Sequence, residues 1–308
     1  MQSNKELEKN TGWRIWWKLL RPHTLTASFI PVFLGSALAL VEKDIHWVLF
    51  IAMLVASMLI QAATNMFNEY FDYKRGLDTS DSVGIGGTIV RDGIAPKTVL
   101  NLGYTFCIIA TLIGVYICMS STWWLALIGT ICMMAGYFYT GGPYPIAYTP
   151  FGELVSGLFM GVVLVLISFF IQTGTVTLTS VLVSVPIAIL CGGILMANNI
   201  RDLEGDKQKG RHTLAIVLGR QRANNFLTGM FVVSYLWIIG LLIFNVETVW
   251  MLLVFVSLPK AYKAAKLFKE KSKSIQLMPA MQATAQMHTI FGLFLSIGLV
   301  LDYCIHHI

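Results

Sequence analysis

The chain has 308 residues, of which 56% are hydrophobic and only 12% charged, with a mean hydropathy of +0.69. That balance excludes an ordinary soluble domain, and long apolar segments recur along nearly the whole length, as in an all-α, polytopic membrane protein. A formal charge of +6 could point to nucleic acid, but no nucleic-acid motif is present, and basic loops in a membrane protein first report orientation.

Residues 1–10 are polar and read as a frayed start. Trp13, Trp16, Trp17 and Leu20 then form an apolar stripe beside Arg14, Lys18 and Arg21, the pattern of an amphipathic helix lying on the membrane surface. A signal peptide is the alternative, but no small-residue cleavage site follows. The expected organisation is a cytoplasmic segment over 1–23 and one transmembrane domain over 24–308. Nine spans are predicted, near 24–41, 46–71, 98–119, 122–140, 151–172, 179–200, 223–244, 246–262 and 284–303, the eighth being the weakest. On that topology 21 of the 22 Lys and Arg residues fall on one side, leaving only Lys43 on the other. The positive-inside rule makes the basic side cytoplasmic, with the N-terminus inside and the C-terminus outside. Cys107, Cys118, Cys132, Cys191 and Cys304 lie in or beside apolar segments without CxxC spacing, which indicates neither a disulfide framework nor a zinc site.

Two stretches break the apolar pattern on the basic side. In the first, Asn65, Asn68, Glu69 and Asp72 recur at i, i+3, i+4 and i+7, one face of a helix. Gly76 is a natural helix stop, after which Asp78 reaches back from the loop. In the second, Asn198, Asp202 and Asp206 again share one face. Carboxylates stacked this way repel unless a cation or a protein base sits between them. Hard oxygen donors suit Mg²⁺, which completes its shell with water and substrate phosphate. The blander reading, carboxylates merely solvated at helix ends, does not account for the matched Asn-x-x-x-Asp spacing in Asn68/Asp72 and Asn198/Asp202.

Other residues on that side are candidates with equally ordinary alternatives. The glycines of the segment 82–97 could form an anion-binding nest or a plain flexible loop, and Arg91 is its sharper candidate for phosphate. Some of the bases around the second stretch, Arg201, Lys207, Lys209 and Arg211, could neutralise a leaving diphosphate, although orientation alone would also explain them; Arg201 and Lys207 are the binding candidates, Lys207 being favoured by its adjacency to Asp206. Arg21 could bind a substrate carboxylate or serve as an interfacial anchor. Tyr139, ahead of the Gly/Pro-rich segment 140–145, could face a cavity or belong to an aromatic belt. Glu153 is a lone acid without an obvious partner, and the lysines at 260, 263, 266 and 269 form a basic surface segment for anionic lipid. Gly157 and Gly161 have the spacing of a close helix contact.

With these residues on the page, the chain resembles the UbiA superfamily of intramembrane aromatic prenyltransferases over nearly its full length. The resemblance rests on Asn65-x-x-Asn68-Glu69-Tyr70-x-Asp72 with Gly76-x-Asp78, and on Asn198-Asn199-x-Arg201-Asp202-x-x-x-Asp206-x-x-x-Gly210-x-x-Thr213-Leu214. Tyr139 to Pro143 and Arg21-Pro22 match as well, and the Asn-Asn-x-Arg-Asp form points to the branch acting on 1,4-dihydroxy-2-naphthoate. Glu69 stands where the family often has Asp. Gly76 stands where many members carry the last acid, a role that falls to Asp78. The resemblance implies nine helices around a central cavity open to lipid, in a bacterial cell membrane. It further implies transfer of a prenyl group from a polyprenyl diphosphate to 1,4-dihydroxy-2-naphthoate with loss of CO₂. Asp72, Asp78, Asp202 and Asp206 would hold Mg²⁺ on the diphosphate, with Asn68 and Asn198 as neutral oxygen ligands. Another aromatic acceptor (4-hydroxybenzoate, homogentisate or haem) is the near alternative. A cation-coupled transporter is the distant one, disfavoured because its carboxylates would sit deep in the bilayer.

Overall fold

A computed structural model describes residues 12–78 and 87–307; the polar start over 1–10 and the first part of the glycine-rich loop lie outside the described residues. Within them every regular element is helical. In chain order these are α1 (Trp13–Leu20), α2 (Pro22–Glu42), α3 (Trp47–Lys74), α4 (Pro96–Ser120), α5 (Trp124–Thr140) and α6 (Gly152–Ser156). A π-helical segment, Gly157–Val163, follows and runs into α7 (Leu164–Thr173). Then come α8 (Leu178–Gln208), α9 (Leu214–Leu218), α10 (Arg220–Ile243), a 3₁₀ segment Val249–Ser257, α11 (Leu258–Glu270) and α12 (Ser274–His307).

Seven of these helical stretches are long and apolar enough to cross a membrane: Thr24–Glu42, Trp47–Lys74, Pro96–Ser120, Gly152–Thr173, Leu178–Gln208, Arg220–Ile243 and Ser274–His306. Two of the nine expected spans are not among these seven. The fourth predicted span is the shorter helix Trp124–Thr140, and the eighth is a 3₁₀ segment joined to the lysine-rich α11. Pro259, just inside the start of α11, lacks the N–H that a helix continuing from the 3₁₀ segment would use.

Local chemistry sets the ends of the helices that carry the acidic stretches. At the start of α8, Thr177 and Ser180 cap each other reciprocally, each side-chain oxygen accepting from the other's backbone N–H at 3.2 Å. At the far end of α3 the backbone turns left-handed at Gly76 (φ +67°), and after α8 it does so at Gly210 (φ +77°). Both glycines adopt a conformation that a side chain would strain, so each acidic stretch ends in a sharp reversal.

The largest buried cluster joins α2, α7, α8, α10 and α12 through Ile30, Phe169, Leu190, Met196 and Phe291. Outward faces carry Trp47, Ile51, Ile108, Leu112, Leu127 and Leu236, all exposed, as expected of surface solvated by lipid chains. The π segment presses directly on α8. A Cβ added at Gly161 would stand 2.1 Å from the Cα of Ala188, and one at Gly157 would stand 2.6 Å from its carbonyl oxygen. The Gly157/Gly161 spacing is therefore an intrachain contact, with backbone against backbone.

Gly161→Leu is expected to destabilise the bundle by roughly 1–3 kcal/mol or more, through overpacking against backbone that has no room to move. Gly229→Ala in α10, where no atom lies within 4 Å, is the control and should be neutral or slightly stabilising. Thermal unfolding of both variants in one detergent checks the pair.

Candidate active site

The two acidic stretches meet at one end of the bundle, above a cavity of about 230 Å³. The wall near that end is polar, with Arg21, Asn65, Asn68, Tyr139 and Asn198, and further along the helices it becomes apolar, with Ile60, Phe159, Leu164, Ile167 and Ile194. Asp72 and Asp202 lie four residues beyond Asn68 and Asn198 on α3 and α8, about 6 Å further along each axis. A slot with a charged rim and an apolar floor suits an amphiphile whose head is anionic.

Charge at the rim is balanced residue by residue. Arg211 bridges the two stretches, with Nη2 donating to Asp72 at 2.8 Å and Nη1 lying 3.2 Å from Asp206. Its guanidinium stacks on the ring of Tyr148 at 5.1 Å, and Arg75 stacks on the same ring at 5.4 Å. Arg75 also donates to the carbonyls of Thr140 and Gly142, which fixes the Gly/Pro-rich turn after α5. Burial alone would lower the Arg211 pKa, but the charges of Asp72 and Asp206 outweigh it and hold the group above its ordinary value. Arg201 forks onto Asp202, with Nε at 2.8 Å and Nη2 at 2.5 Å, while its Nη1 donates to the Met281 sulfur. Asp78 sits beside them, and burial together with the nearby charges of Asp72 and Glu69 pushes its carboxyl up to about 6.

Glu69 does something different. Its Oε2 accepts from Arg21 at 3.0 Å, and its Oε1 accepts from the Gly87 amide (2.8 Å), the Thr88 hydroxyl (2.8 Å) and the Ile89 amide (3.2 Å). This carboxylate is buried and fully engaged, and it latches the loop after α3 onto the bundle. Of the two readings of that loop, an anion nest or a plain flexible loop, these two amides behave as a nest whose anion is an internal carboxylate. Arg91 lies away from the cavity wall with its side chain over Gly87, where an added Cβ would stand 2.6 Å from Nε.

Arg21 bonds Glu69 while also lining the cavity, and it does so from a left-handed backbone (φ 51°, ψ 65°) between α1 and α2. Asn65 supports this break, its Nδ2 donating to the Leu20 carbonyl (2.9 Å) and to Thr24 Oγ1 (2.8 Å). Asn68 accepts from Thr140 Oγ1 at 2.6 Å. Glu153, the acid without a predicted partner, accepts from Asn199 Nδ2 at 2.8 Å. Lys207, the base favoured by adjacency, is exposed and makes no ion pair among the described residues; the base between the acids is Arg211. Neighbours in sequence point about 100° apart on a helix, which turns Lys207 away from Asp206, whereas Arg211 follows the reversal at Gly210 and comes back over Asp206. Within the described residues no three acidic, His or Cys side chains converge as a ready metal cage.

Residues 28–284 match the model of the UbiA prenyltransferase family. This chain belongs to that family. As a UbiA family member it is 54% identical to the 1,4-dihydroxy-2-naphthoate octaprenyltransferase of Bacillus subtilis over 296 residues, covering 96% of this chain and 95% of the relative. It is 30% identical to the Mycobacterium tuberculosis protein of the same name, covering 90% and 94% of the two chains. In fold it is similar to a UbiA homologue from Archaeoglobus fulgidus solved with GPP and Mg²⁺, with a TM-score of 0.63 at 15% identity over 92% of this chain and 99% of that one. The UbiA fold and the apolar helices make it an integral membrane protein.

Glu69→Gln places an amide N–H₂ among donors and leaves Arg21 unanswered. Breaking a buried pair in this way is expected to cost roughly 3–5 kcal/mol. Hydrogen exchange at residues 87–92, read by mass spectrometry, should accelerate strongly in this variant while exchange in α10 stays unchanged.

Proposed function

We propose that this protein transfers a polyprenyl group from polyprenyl diphosphate to 1,4-dihydroxy-2-naphthoate, releasing diphosphate and CO₂. The observation that carries the reading is the charged rim of Asp72, Asp78, Asp202 and Asp206 set over a cavity whose floor is apolar. The 54% identity to a relative of that name over almost the whole chain supports the choice of acceptor.

The donors at the rim are all hard oxygens, four carboxylates with the side-chain amides of Asn68 and Asn198 behind them, and this set fits Mg²⁺ rather than a soft metal. Bound there by Asp72, Asp78, Asp202 and Asp206, Mg²⁺ supplies charge neutralisation for a departing diphosphate. The chain's own residues provide the rest. Asn68 and Asn198 position the diphosphate end at the boundary between rim and cavity. Arg21 and Arg201 add positive charge at the same level, and Arg21 is the candidate for the aromatic carboxylate. Tyr139 stands on the cavity wall where the acceptor ring must approach the allylic carbon. Ile60, Phe159, Leu164 and Ile167 exclude water from the allylic cation and hold the tail, at about 0.8 kcal/mol per buried CH₂. Attack by the electron-rich ring on the cation forms the carbon–carbon bond, and loss of the carboxylate as CO₂ restores the aromatic ring. No side-chain nucleophile is required. The excess of Lys and Arg in the loops on this side supports a rim on the cytoplasmic face, with the N-terminus inside.

The decisive assay supplies the purified protein with Mg²⁺, a polyprenyl diphosphate and 1,4-dihydroxy-2-naphthoate, and follows diphosphate and CO₂ together. Product without CO₂, or a preference for 4-hydroxybenzoate, would refute the acceptor. Asp72→Ala and Asp202→Ala should each lower turnover by about 10²-fold or more, as loss of a charge-stabilising group does elsewhere. Asp78 gives a pH signature. Because its carboxyl is raised to about 6, it is neutral below that pH and a ligand above it. Metal-dependent activity should therefore rise through about pH 6, and Asp78→Asn should flatten that limb of the profile without abolishing it, because the other rim carboxylates titrate as well.

A further inference from the structure

Arg211 occupies the place where the two acidic stretches face each other, and that position conflicts with the function proposed above, on which this inference rests. Its two terminal nitrogens take Asp72 at 2.8 Å and Asp206 at 3.2 Å. A hard cation needs the lone pairs that the guanidinium now uses, so the metal and this ion pair compete for the same oxygens. Arginine does not lose its proton in proteins, so the conflict is resolved by movement of the group and never by its neutralisation.

We propose that Arg211 is a displaceable counter-ion: it closes the empty site across Asp72 and Asp206, and loading of the metal–diphosphate hands its guanidinium from the carboxylates to the diphosphate oxygens. Three features of the chain suit such an exchange. The guanidinium lies on the face of Tyr148, a surface over which it can slide without losing its stacking partner, and Arg75 on the same ring holds that surface in place. Gly210, immediately before it, has φ +77°, so the backbone turn that aims Arg211 is built on the most permissive residue. The planar fork that now spans two carboxylates is equally matched to phosphate oxygens.

The consequence is coupling. Metal alone would leave a largely buried guanidinium without an anion, which is unfavourable, whereas metal with diphosphate gives it a new partner. Each ligand then raises the affinity for the other, by linkage. Arg211 thereby guards the acids against cations that arrive without substrate.

The test is Mn²⁺ binding to the purified full chain in detergent micelles, read by the electron paramagnetic resonance of free Mn²⁺, with and without inorganic pyrophosphate, the Mn²⁺ chelated by pyrophosphate alone being subtracted using a protein-free titration. Arg211→Gln is expected to tighten Mn²⁺ binding in the absence of pyrophosphate by about tenfold, as removal of a close competing charge implies, and to shrink the gain that pyrophosphate produces. Arg211→Lys, whose single ammonium answers one carboxylate at a time, should fall between wild type and Arg211→Gln. It serves as the deciding variant if Arg211→Gln does not fold. Mn²⁺ affinity without pyrophosphate that is unchanged or weaker in the folded variants overturns the displacement. Pyrophosphate without effect on Mn²⁺ binding in any of the proteins overturns the hand-over together with the diphosphate reading of the site.

Discussion

A carboxylate carried to the end of an apolar helix bundle has lost most of its water and must be answered by positive charge or by aimed donors. The architecture around the cavity mouth follows from that requirement. Glu69 is answered by Arg21 and by three donors of the loop after α3, Asp202 by Arg201, and Asp72 and Asp206 jointly by Arg211. Asp92 in the same loop is answered by Lys18 of α1. Apart from the adjacent Arg201 and Asp202, the pairings of Lys18 with Asp92, Arg21 with Glu69 and Arg211 with Asp72 join parts of the chain distant in sequence, so balancing the charge assembles the rim. The aromatic and backbone contacts of Arg75 and Tyr148 then fix the turn that faces the second stretch, where the Tyr148 carbonyl accepts from the His212 amide at 2.9 Å.

The acids fall into two sets with different duties. Glu69 is spent on structure, saturated by four hydrogen bonds and shut away from the cavity. Asp72, Asp202 and Asp206 keep arginines as partners, and arginine can be exchanged for another cation while a set of backbone amides cannot. The longer Glu side chain at position 69 suits this division, because it reaches past the helix surface to the loop that Asp would miss.

Much of this was legible in the residues. The repeated Asn-x-x-x-Asp spacing located both halves of the rim, and the Gly76 stop turned the chain where expected. The small-residue pair Gly157/Gly161 marked the contact with α8. What stayed hidden depends on tertiary geometry. Helical periodicity says that Glu69 and Asp72 share a face but not that a loop eighteen residues on will fold over one of them. Adjacency favoured Lys207, although a one-residue step along a helix points away from its neighbour; a glycine stop followed by an arginine was the available signal for Arg211. Hydropathy detected the apolar run over 246–262, yet the pattern alone could not distinguish a regular span from the 3₁₀ segment and basic helix that form there.

The short helix α1 touches this arrangement twice, through Lys18 on Asp92 and through the strained backbone at Arg21 that meets Glu69. Its Trp13, Trp16 and Trp17 are all exposed, an apolar face that only the headgroup region of a bilayer would cover. A tilt of α1 would therefore pull on the latched loop at Asp92 and, through Arg21 and Glu69, at residues 87–89, like a lever whose handle floats in the lipid surface. The depth at which these tryptophans ride in the headgroup layer is thereby tied to the position of the cavity mouth.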